Sequence, residues 1–247
     1  MTLWNDGGFL MLGLIARPFG FLLSFFYDIL GSYALAIVVL STLVRVAMYP
    51  LYKKQVLSMA GMTTMQPKIR EIQKKYANDR ETMNIKMQEL YKEEGFNPAA
   101  GCLPMIIQMI VISGLFGLLR YPLTYLGNDT EMVFAVHHSF LWMEDLSQPD
   151  LWILPILSGV ATFASFWMSS QNSAMQQQAG NAMNIIMKYL FPIMIVWLAR
   201  SYPAGLAIYW FISQFVQIFF NIRFNVLRKE IREGKVDATG KKINKKK

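Results

Sequence analysis

The sequence has one cysteine and two histidines among 247 residues. A single cysteine, Cys102, excludes an intrachain disulfide and any metal site built from several cysteines. His137 and His138 are adjacent, so they point to different sides of a helix or strand and make a poor metal-binding pair. The sequence also lacks a glycine-rich phosphate loop, a metalloprotease histidine pair and a Gly-x-Ser-x-Gly motif. These absences predict no catalytic residues, no metal, no small-molecule cofactor and no enzymatic activity.

Acidic residues are scarce, whereas apolar residues are abundant. The chain has 16 Asp and Glu against 24 Lys and Arg, a net charge of +8 and 54% hydrophobic residues. Its mean hydropathy is +0.30. A soluble core of this size does not need so many uninterrupted apolar runs. The composition therefore predicts an all-α polytopic membrane protein, and the net positive charge favours anionic partners.

Five apolar segments are predicted to be transmembrane helices, which need about 20 residues to cross the hydrocarbon core. These spans are residues 31–50, 97–119, 151–170, 185–199 and 206–222. Pro104 predicts a kink in the second span, and the fourth span is short. Residues 1–30 are predicted to be an extracellular N-terminus with an interfacial amphipathic helix, because apolar residues recur at helical spacing after Pro18. An additional span is the alternative.

Polar segments separate the predicted spans. Residues 51–96 are predicted to form a charged helical hairpin, in which Asp79 caps the second helix. Residues 120–150 form a loop, residues 171–184 a polar connector and residues 223–247 a basic tail. The loop carries aromatic interface anchors, namely Tyr121, Tyr125 and Trp142.

The basic residues predict the orientation. Of the 24 Lys and Arg residues, 20 lie in the hairpin, in the tail or at Lys188. By the positive-inside rule the hairpin, the connector and the tail are cytoplasmic, and the loop 120–150 is extracellular. Five spans then place the N-terminus outside. The short start of the chain carries Asp6 and no Lys or Arg, which differs from the basic start of a secretory signal.

Arg45 lies inside the first predicted span. An arginine near the centre of a helix in lipid costs roughly 2.5–3.5 kcal/mol on insertion scales. One interpretation is an arginine that snorkels to the membrane surface. The other is a polar, water-accessible site within the membrane. The second to fifth spans contain no Asp or Glu, which favours a hydrated arginine over a buried ion pair.

Other spans carry polar residues along one face, as a shared polar site requires. The third span contributes Ser158, Thr162, Ser165 and Ser169, the fifth Tyr209, Ser213, Gln214, Gln217 and Asn221, and the second Gln108. Ser41 lies one turn before Arg45 on the same face. Small polar residues at this spacing also join transmembrane helices, which is the alternative for the third-span residues. It is weaker for the glutamines, because an amide brings more hydrogen-bonding groups than packing satisfies.

An unpaired positive site open to the cytoplasm suits a passenger with acidic or polar residues. An ion channel would show charged rings or a pore-wide pattern in several spans. A proton-coupled transporter would carry an acid within the membrane. The sequence shows neither feature.

Three motifs resemble those of the YidC-type membrane protein insertases, a family with mitochondrial and chloroplast relatives. The first is Thr42-Leu43-Val44-Arg45 followed by Tyr49-Pro50. The second runs from Asn97-Pro98 through Gly101-Cys102-Leu103-Pro104 to Gln108. The third is Tyr202-Pro203-Ala204-Gly205-Leu206 with Tyr209-Trp210. The resemblance covers roughly residues 10–225, with the motifs in the family's order and spacing. The large periplasmic domain of many Gram-negative members is absent, so the sequence resembles the short Gram-positive form.

The resemblance implies a five-helix core that encloses a hydrophilic groove, closed toward the outside and open to the cytoplasm and to lipid. Arg45 is then the positive charge of the groove, Ser41 and Thr42 lie beside it, and Tyr209 or Trp210 is the aromatic contact. The hairpin is expected to receive the clients, that is, the membrane proteins to be inserted. The implied location is the bacterial cell membrane.

The predicted function is a membrane protein insertase and chaperone that acts without nucleotide or metal. Its expected partners are nascent membrane proteins and the phospholipid bilayer, with the ribosome (through the basic tail) and the Sec translocon as further candidates. The alternative is an assembly or folding chaperone that acts mainly as an accessory to the Sec translocon. A small-solute transporter is a third hypothesis, which requires solute flux that depends on Arg45.

Overall fold

The computed structural model describes residues 6–95, 103–121, 130–170 and 185–236. Within these residues the chain is helical and contains no strand, apart from one bridge between Phe140 and Met143. The all-α prediction is therefore confirmed for this part of the chain. The helices are α1 (Asp6–Leu30), α2 (Tyr33–Lys75), α3 (Arg80–Glu93), α4 (Leu103–Arg120), α5 (Thr130–Ala135), α6 (Ile153–Ser170), α7 (Phe191–Ala199) and α8 (Ala204–Arg232). A π-helical turn, Ile186–Leu190, leads directly into α7.

Two helices in the described ranges are long and apolar enough to cross a membrane, over Tyr33–Ser58 and Ala204–Arg232. Shorter apolar helices cover Ile106–Leu119, Ile153–Ser169 and Ile186–Ala199. All five segments overlap predicted spans. The count of five spans stays a prediction, because three of these helices are short over the described residues. The connector 171–184, the start of the second predicted span and the end of the tail lie outside the described residues.

The structure joins two segments that the sequence separates. The predicted first span and the first arm of the hairpin are one 43-residue helix, α2, with Pro50 and Pro67 inside it. Each proline removes one backbone hydrogen bond, and the bonds on either side keep the helix continuous. At 1.5 Å per residue α2 is about 65 Å long, which is about twice the thickness of a hydrocarbon core.

Two further helices contain a proline close to their first described residue. Pro104 lies in the first described turn of α4. The kink that the sequence predicts near Pro104 stays a prediction, because residues 96–102 lie outside the described ranges. Pro192 lies in the first turn of α7, immediately after the π-helical turn.

The first helix, α1, packs against α2 and α4. Ala16 and Leu23 are fully buried in the main apolar core. The next residue after Ala16, Arg17, is exposed. The interfacial position of α1 stays a prediction.

The end of α2 and α3 form a small separate helix pair. Met65, Ile69 and Leu90 make its apolar core, and Lys68 Nζ lies 2.5 Å from Glu94 Oε1. This pair corresponds to the predicted hairpin, although its cytoplasmic location stays a prediction.

Asp79 caps α3, as the sequence predicts. Its carboxylate accepts hydrogen bonds from the Thr82 hydroxyl at 2.6 Å and the Thr82 backbone N–H at 3.0 Å. These bonds hold the pKa of Asp79 below its ordinary value of 3.8. Because the folded-state pKa is depressed, the stabilisation is present above pH 3.8 and is lost as pH falls through the lower value.

We expect Asp79→Ala to raise amide hydrogen-exchange rates in the first turn of α3 by about fivefold, because an N-cap side chain satisfies an otherwise unpaired N–H group. Asp79→Asn is the matched control, since asparagine also caps helices. Equal exchange rates in the wild type and Asp79→Ala would show that the cap does not hold this turn.

The remaining helices are organised around α8, which packs against α6 and α2, while α7 packs on α6. The loop before α6 covers the N-terminal end of α8: Ala204 N–H donates to Gln148 O at 2.9 Å and Gly205 N–H to Leu146 O at 3.3 Å. At Gly159, where α6 meets α7, an added Cβ would lie 2.4 Å from Val196 Cγ2. These contacts place α2 and α6 on either side of α8.

Candidate functional site: a buried arginine in a polar network

Arg45 lies about 18 Å along α2 from Tyr33, at 1.5 Å per residue. Its side chain is only 5% exposed. Nη1 donates to Tyr52 Oη at 3.0 Å and to Gln217 Oε1 at 3.2 Å. Arg45 Cζ lies 6.0 Å from the centre of the Tyr52 ring, at the outer limit of a cation–π contact.

The partners of the guanidinium are neutral. Within the described residues Arg45 makes no ion pair with an acidic side chain, and Arg45 Nε is buried without a hydrogen-bond partner. A charge removed from water costs several kcal/mol unless good partners surround it. Tyr52 and Gln217 supply dipoles but no countercharge. The site is therefore a buried positive charge with unused capacity to bind an acceptor.

A second set of bonds joins α2 to α4 and α8. Tyr52 Oη donates to Gln108 Oε1 at 3.2 Å, and Gln108 Nε2 donates to Tyr209 Oη at 3.1 Å. Tyr209 is 2% exposed, whereas Tyr52 and Gln108 are half-buried. Three helices thus meet at one chain of side-chain hydrogen bonds.

The network also continues from Arg45 toward α6. Gln217 Nε2 donates to Asn221 Oδ1 at 3.1 Å. Asn221 Nδ2 donates to the backbone oxygen of Ser165 at 2.9 Å and to Ser165 Oγ at 3.3 Å. Asn221 and Ser165 are buried. The polar face of α8 therefore connects the arginine on α2 with the serine stripe on α6.

The stripe on α6 lies at the contact with α8. Ser158 Oγ donates to Ala207 O at 3.4 Å, and Thr162 Oγ1 donates to Ser158 O at 2.6 Å. Trp210 Nε1 donates to Thr162 Oγ1 at 3.0 Å. Ser158 and Thr162 are fully buried. Small polar residues that join two transmembrane helices make bonds of this kind. The bonds therefore favour the alternative interpretation of this stripe, in which its residues join α6 to α8.

The remaining predicted site residues have other surroundings. The Ser41 hydroxyl donates to Ile37 O and the Thr42 hydroxyl to Val38 O, both one turn back in α2. Ser213 Oγ is buried and has no hydrogen-bond partner among the residues that the structure describes, and Gln214 is 9% exposed. Ser169 is half-buried at the end of α6.

The structure brings together one predicted group and adds two residues to it. Arg45, Gln108, Tyr209, Gln217 and, through Asn221, Ser165 share one network. Ser41 and Thr42 bond within their own helix. Tyr52 is a site residue that sequence reasoning missed, although it lies seven positions after Arg45 and so on the same helix face. Asn221 was part of the predicted polar stripe on the fifth span but not of the predicted site.

The fold and the site together define a class: an α-helical membrane protein whose polar side chains surround a buried arginine. The comparisons with known proteins agree. A family model described as 60Kd inner membrane protein matches residues 25–230. The membrane protein insertase YidC of Fusobacterium nucleatum is 33% identical over 206 residues, which cover 83% of this chain and 92% of that protein. The YidC of Caldanaerobacter subterraneus is 36% identical over 205 residues, covering 83% of this chain and 90% of that protein.

A solved structure points to the same group. The crystal structure of an active YidC insertase with its first transmembrane domain resolved matches this chain with a TM-score of 0.57 at 28% identity, covering 89% of this chain and 46% of that one. This chain belongs to the YidC family of 60Kd inner membrane proteins. The family resemblance predicted from the sequence motifs is confirmed.

Proposed function

We propose that this chain is a membrane protein insertase and chaperone. It takes hydrophilic segments of nascent membrane proteins into a cytoplasm-open groove and releases their apolar segments into lipid. The relatives that support this proposal are named membrane protein insertases, and the aligned regions cover 92% and 90% of their lengths. The observation that carries the proposal is the burial of Arg45 among neutral partners.

The guanidinium is the contact for the client's polar segment. A carboxylate is a stronger acceptor than a phenol or an amide, since charge-assisted hydrogen bonds are roughly twice as strong as neutral ones. An acidic client residue therefore replaces Tyr52 or Gln217 as the partner of Arg45. Because the site lies within the membrane, the distance that the hydrophilic segment must cross in lipid becomes shorter.

Two driving forces move the client without nucleotide or metal. Burial of its apolar segment in lipid is worth roughly 25 cal/mol per Å². A membrane potential that is negative inside favours outward movement of an acidic residue by about 2.3 kcal/mol per charge per 100 mV. The apolar segment passes between the third and fifth spans into lipid, while its acidic end is released on the outer side.

In this proposal five spans surround the groove. The helix pair of α2 and α3, the connector 171–184 and the tail lie on the cytoplasmic side. Clients first meet the helix pair, whose surface is charged. The groove holds water beside Arg45, which would supply partners for Arg45 Nε and Ser213 Oγ, both without one in the described residues. The short fourth span favours a locally thin bilayer.

The proposed partners are nascent membrane proteins and lipid. The basic tail, of which residues 237–247 lie outside the described ranges, is proposed to attract ribosomal RNA. Such binding weakens steeply as salt concentration rises. The alternative function, an accessory to the Sec translocon, shares these clients and differs in requiring the translocon.

The test of the proposal is insertion by the purified chain alone. We expect the chain, reconstituted in liposomes with no other protein, to insert a single-span client with an acidic translocated end, measured as a protease-protected fragment. Empty liposomes are the control for spontaneous insertion. Protection that requires co-reconstituted Sec translocon would replace the proposal with the accessory function.

A further inference from the structure

Tyr52 lies at a junction that the family motifs do not include. Its hydroxyl accepts from Arg45 Nη1 at 3.0 Å and donates to Gln108 Oε1 at 3.2 Å. Gln108 in turn donates to Tyr209 Oη at 3.1 Å. A single hydroxyl group thus connects the guanidinium on α2 to α4 and, through Gln108, to α8.

The hydrogen bonds of Tyr52 and Gln108 cross the interface of α4 with α2 and α8, which is weakly packed. Within the described residues α4 packs mainly against α1 and makes fewer contacts with α2 and α8. By contrast, α8 packs closely along both α2 and α6. The hydrogen bonds Tyr52–Gln108 and Gln108–Tyr209 therefore join α4 to the α2–α8 pair beside the apolar contacts of the shared core.

We propose that Tyr52 is a positioning residue. Its hydrogen bonds to Arg45 and Gln108, which we call the latch, keep this site closed until an acidic client arrives. The inference rests on the proposed function. In the unloaded protein the phenol oxygen occupies Arg45 Nη1 and ties α4 in place. A client carboxylate displaces the phenol from the guanidinium, and the same exchange frees Gln108 and loosens α4. Tyr52 thereby competes with the client carboxylate for Arg45, so it slows the insertion of acidic clients and leaves clients without an acid little affected.

Tyr52→Phe tests the latch alone, because it removes only the hydroxyl that makes the two hydrogen bonds. The ring stays and only the hydroxyl is lost, so Arg45 loses a competing partner and Gln108 loses its donor. We expect the rate of insertion of an acidic client to rise about threefold to tenfold, as the loss of one ground-state hydrogen bond allows. The ratio of acidic to uncharged client insertion rises with it. An unchanged or lower ratio overturns the proposal.

Tyr49→Phe is the matched control on the same helix. The Tyr49 ring packs on Phe220 and Phe224, with ring centres 4.9 and 5.5 Å apart, and its hydroxyl makes no hydrogen bond within the described residues. A rise of equal size in Tyr49→Phe would assign the effect to general loosening of the helices and overturn the latch.

Arg45→Ala shows whether Tyr52 acts through the guanidinium. In this background Tyr52→Phe is expected to leave the ratio of acidic to uncharged client insertion unchanged. A ratio that still rises without Arg45 excludes the proposed exchange. If Arg45→Ala alone leaves insertion at the wild-type rate, the proposed function loses its client contact, and the latch is then decided by distance measurements.

Those measurements use spin labels at Val46 on α2 and at Met109 on α4, which are 54% and 57% exposed. The labels are attached to cysteines introduced at these two positions in a Cys102→Ser background. We expect the distance distribution in unloaded protein to broaden toward longer values in Tyr52→Phe and to stay unchanged in Tyr49→Phe. An identical distribution in Tyr52→Phe and the wild type shows that the hydroxyl does not hold α4, and overturns the latch whatever the insertion rates are.

Discussion

Replacing Arg45 with alanine is expected to lower the insertion rate of an acidic single-span client by about tenfold to a hundredfold. A hydrogen bond to a charged group is worth about 1.5–3 kcal/mol, and 1.4 kcal/mol is a factor of ten. A client without charge in its translocated end loses much less, because its segment gains little from the guanidinium. The measurement is the rate at which a protease-protected client fragment forms in proteoliposomes.

Two variants make this result interpretable. Arg45→Lys keeps the charge but loses the planar fork that binds a carboxylate through two N–H groups, so we expect an intermediate rate. Arg17→Ala removes an arginine that is exposed on α1 and lies outside the network, and should behave as the wild type. Wild-type insertion of both clients by Arg45→Ala would contradict the proposed role of this residue.

Gly159→Ala is expected to destabilise the protein by about 1–3 kcal/mol, the usual cost of overpacking a close contact. The added Cβ would lie 2.4 Å from Val196 Cγ2. Valine is stiff at χ1, so relief requires α6 and α7 to move apart. The measurement is the thermal unfolding midpoint of the purified protein in detergent.

The matched control is a second glycine with a looser environment. An added Cβ at Gly205 would lie 3.2 Å from Ile37 Cδ1, the far end of a longer side chain, so Gly205→Ala should cost less. In a Gly159→Ala background, Val196→Ala should restore part of the lost stability. A larger loss in Gly205→Ala than in Gly159→Ala would show that the α6–α7 contact is not the tight one.

Much of the architecture was predictable because apolar run length and charge are strong signals in a membrane protein. Asp79 was recognisable as a cap from the turn before α3. The sequence could not reveal that α2 continues through Pro50 and Pro67. A proline weakens a helix locally, whereas packing on both sides decides whether the helix ends there.

The same limit explains which part of the site was missed. Arg45 was identifiable from its charge alone, and Gln217 from its spacing on α8. Tyr52 was not, because ending the first span at Pro50 placed Tyr52 in a different segment from Arg45. Helical spacing placed Ser158 and Thr162 on one face but could not say whether that face meets a client or a neighbouring helix. The structure puts them against α8.

The central claim is that a client's polar segment reaches Arg45 inside the helix assembly. The most direct measurement captures a stalled nascent chain with a photocrosslinking amino acid at one of two positions of α8. Gln217 accepts a hydrogen bond from Arg45, and Phe219 is 56% exposed. The account predicts that the acidic segment crosslinks from position 217 and the apolar segment crosslinks more strongly from position 219. Crosslinking of the acidic segment from position 219 alone, with none from position 217, would contradict it.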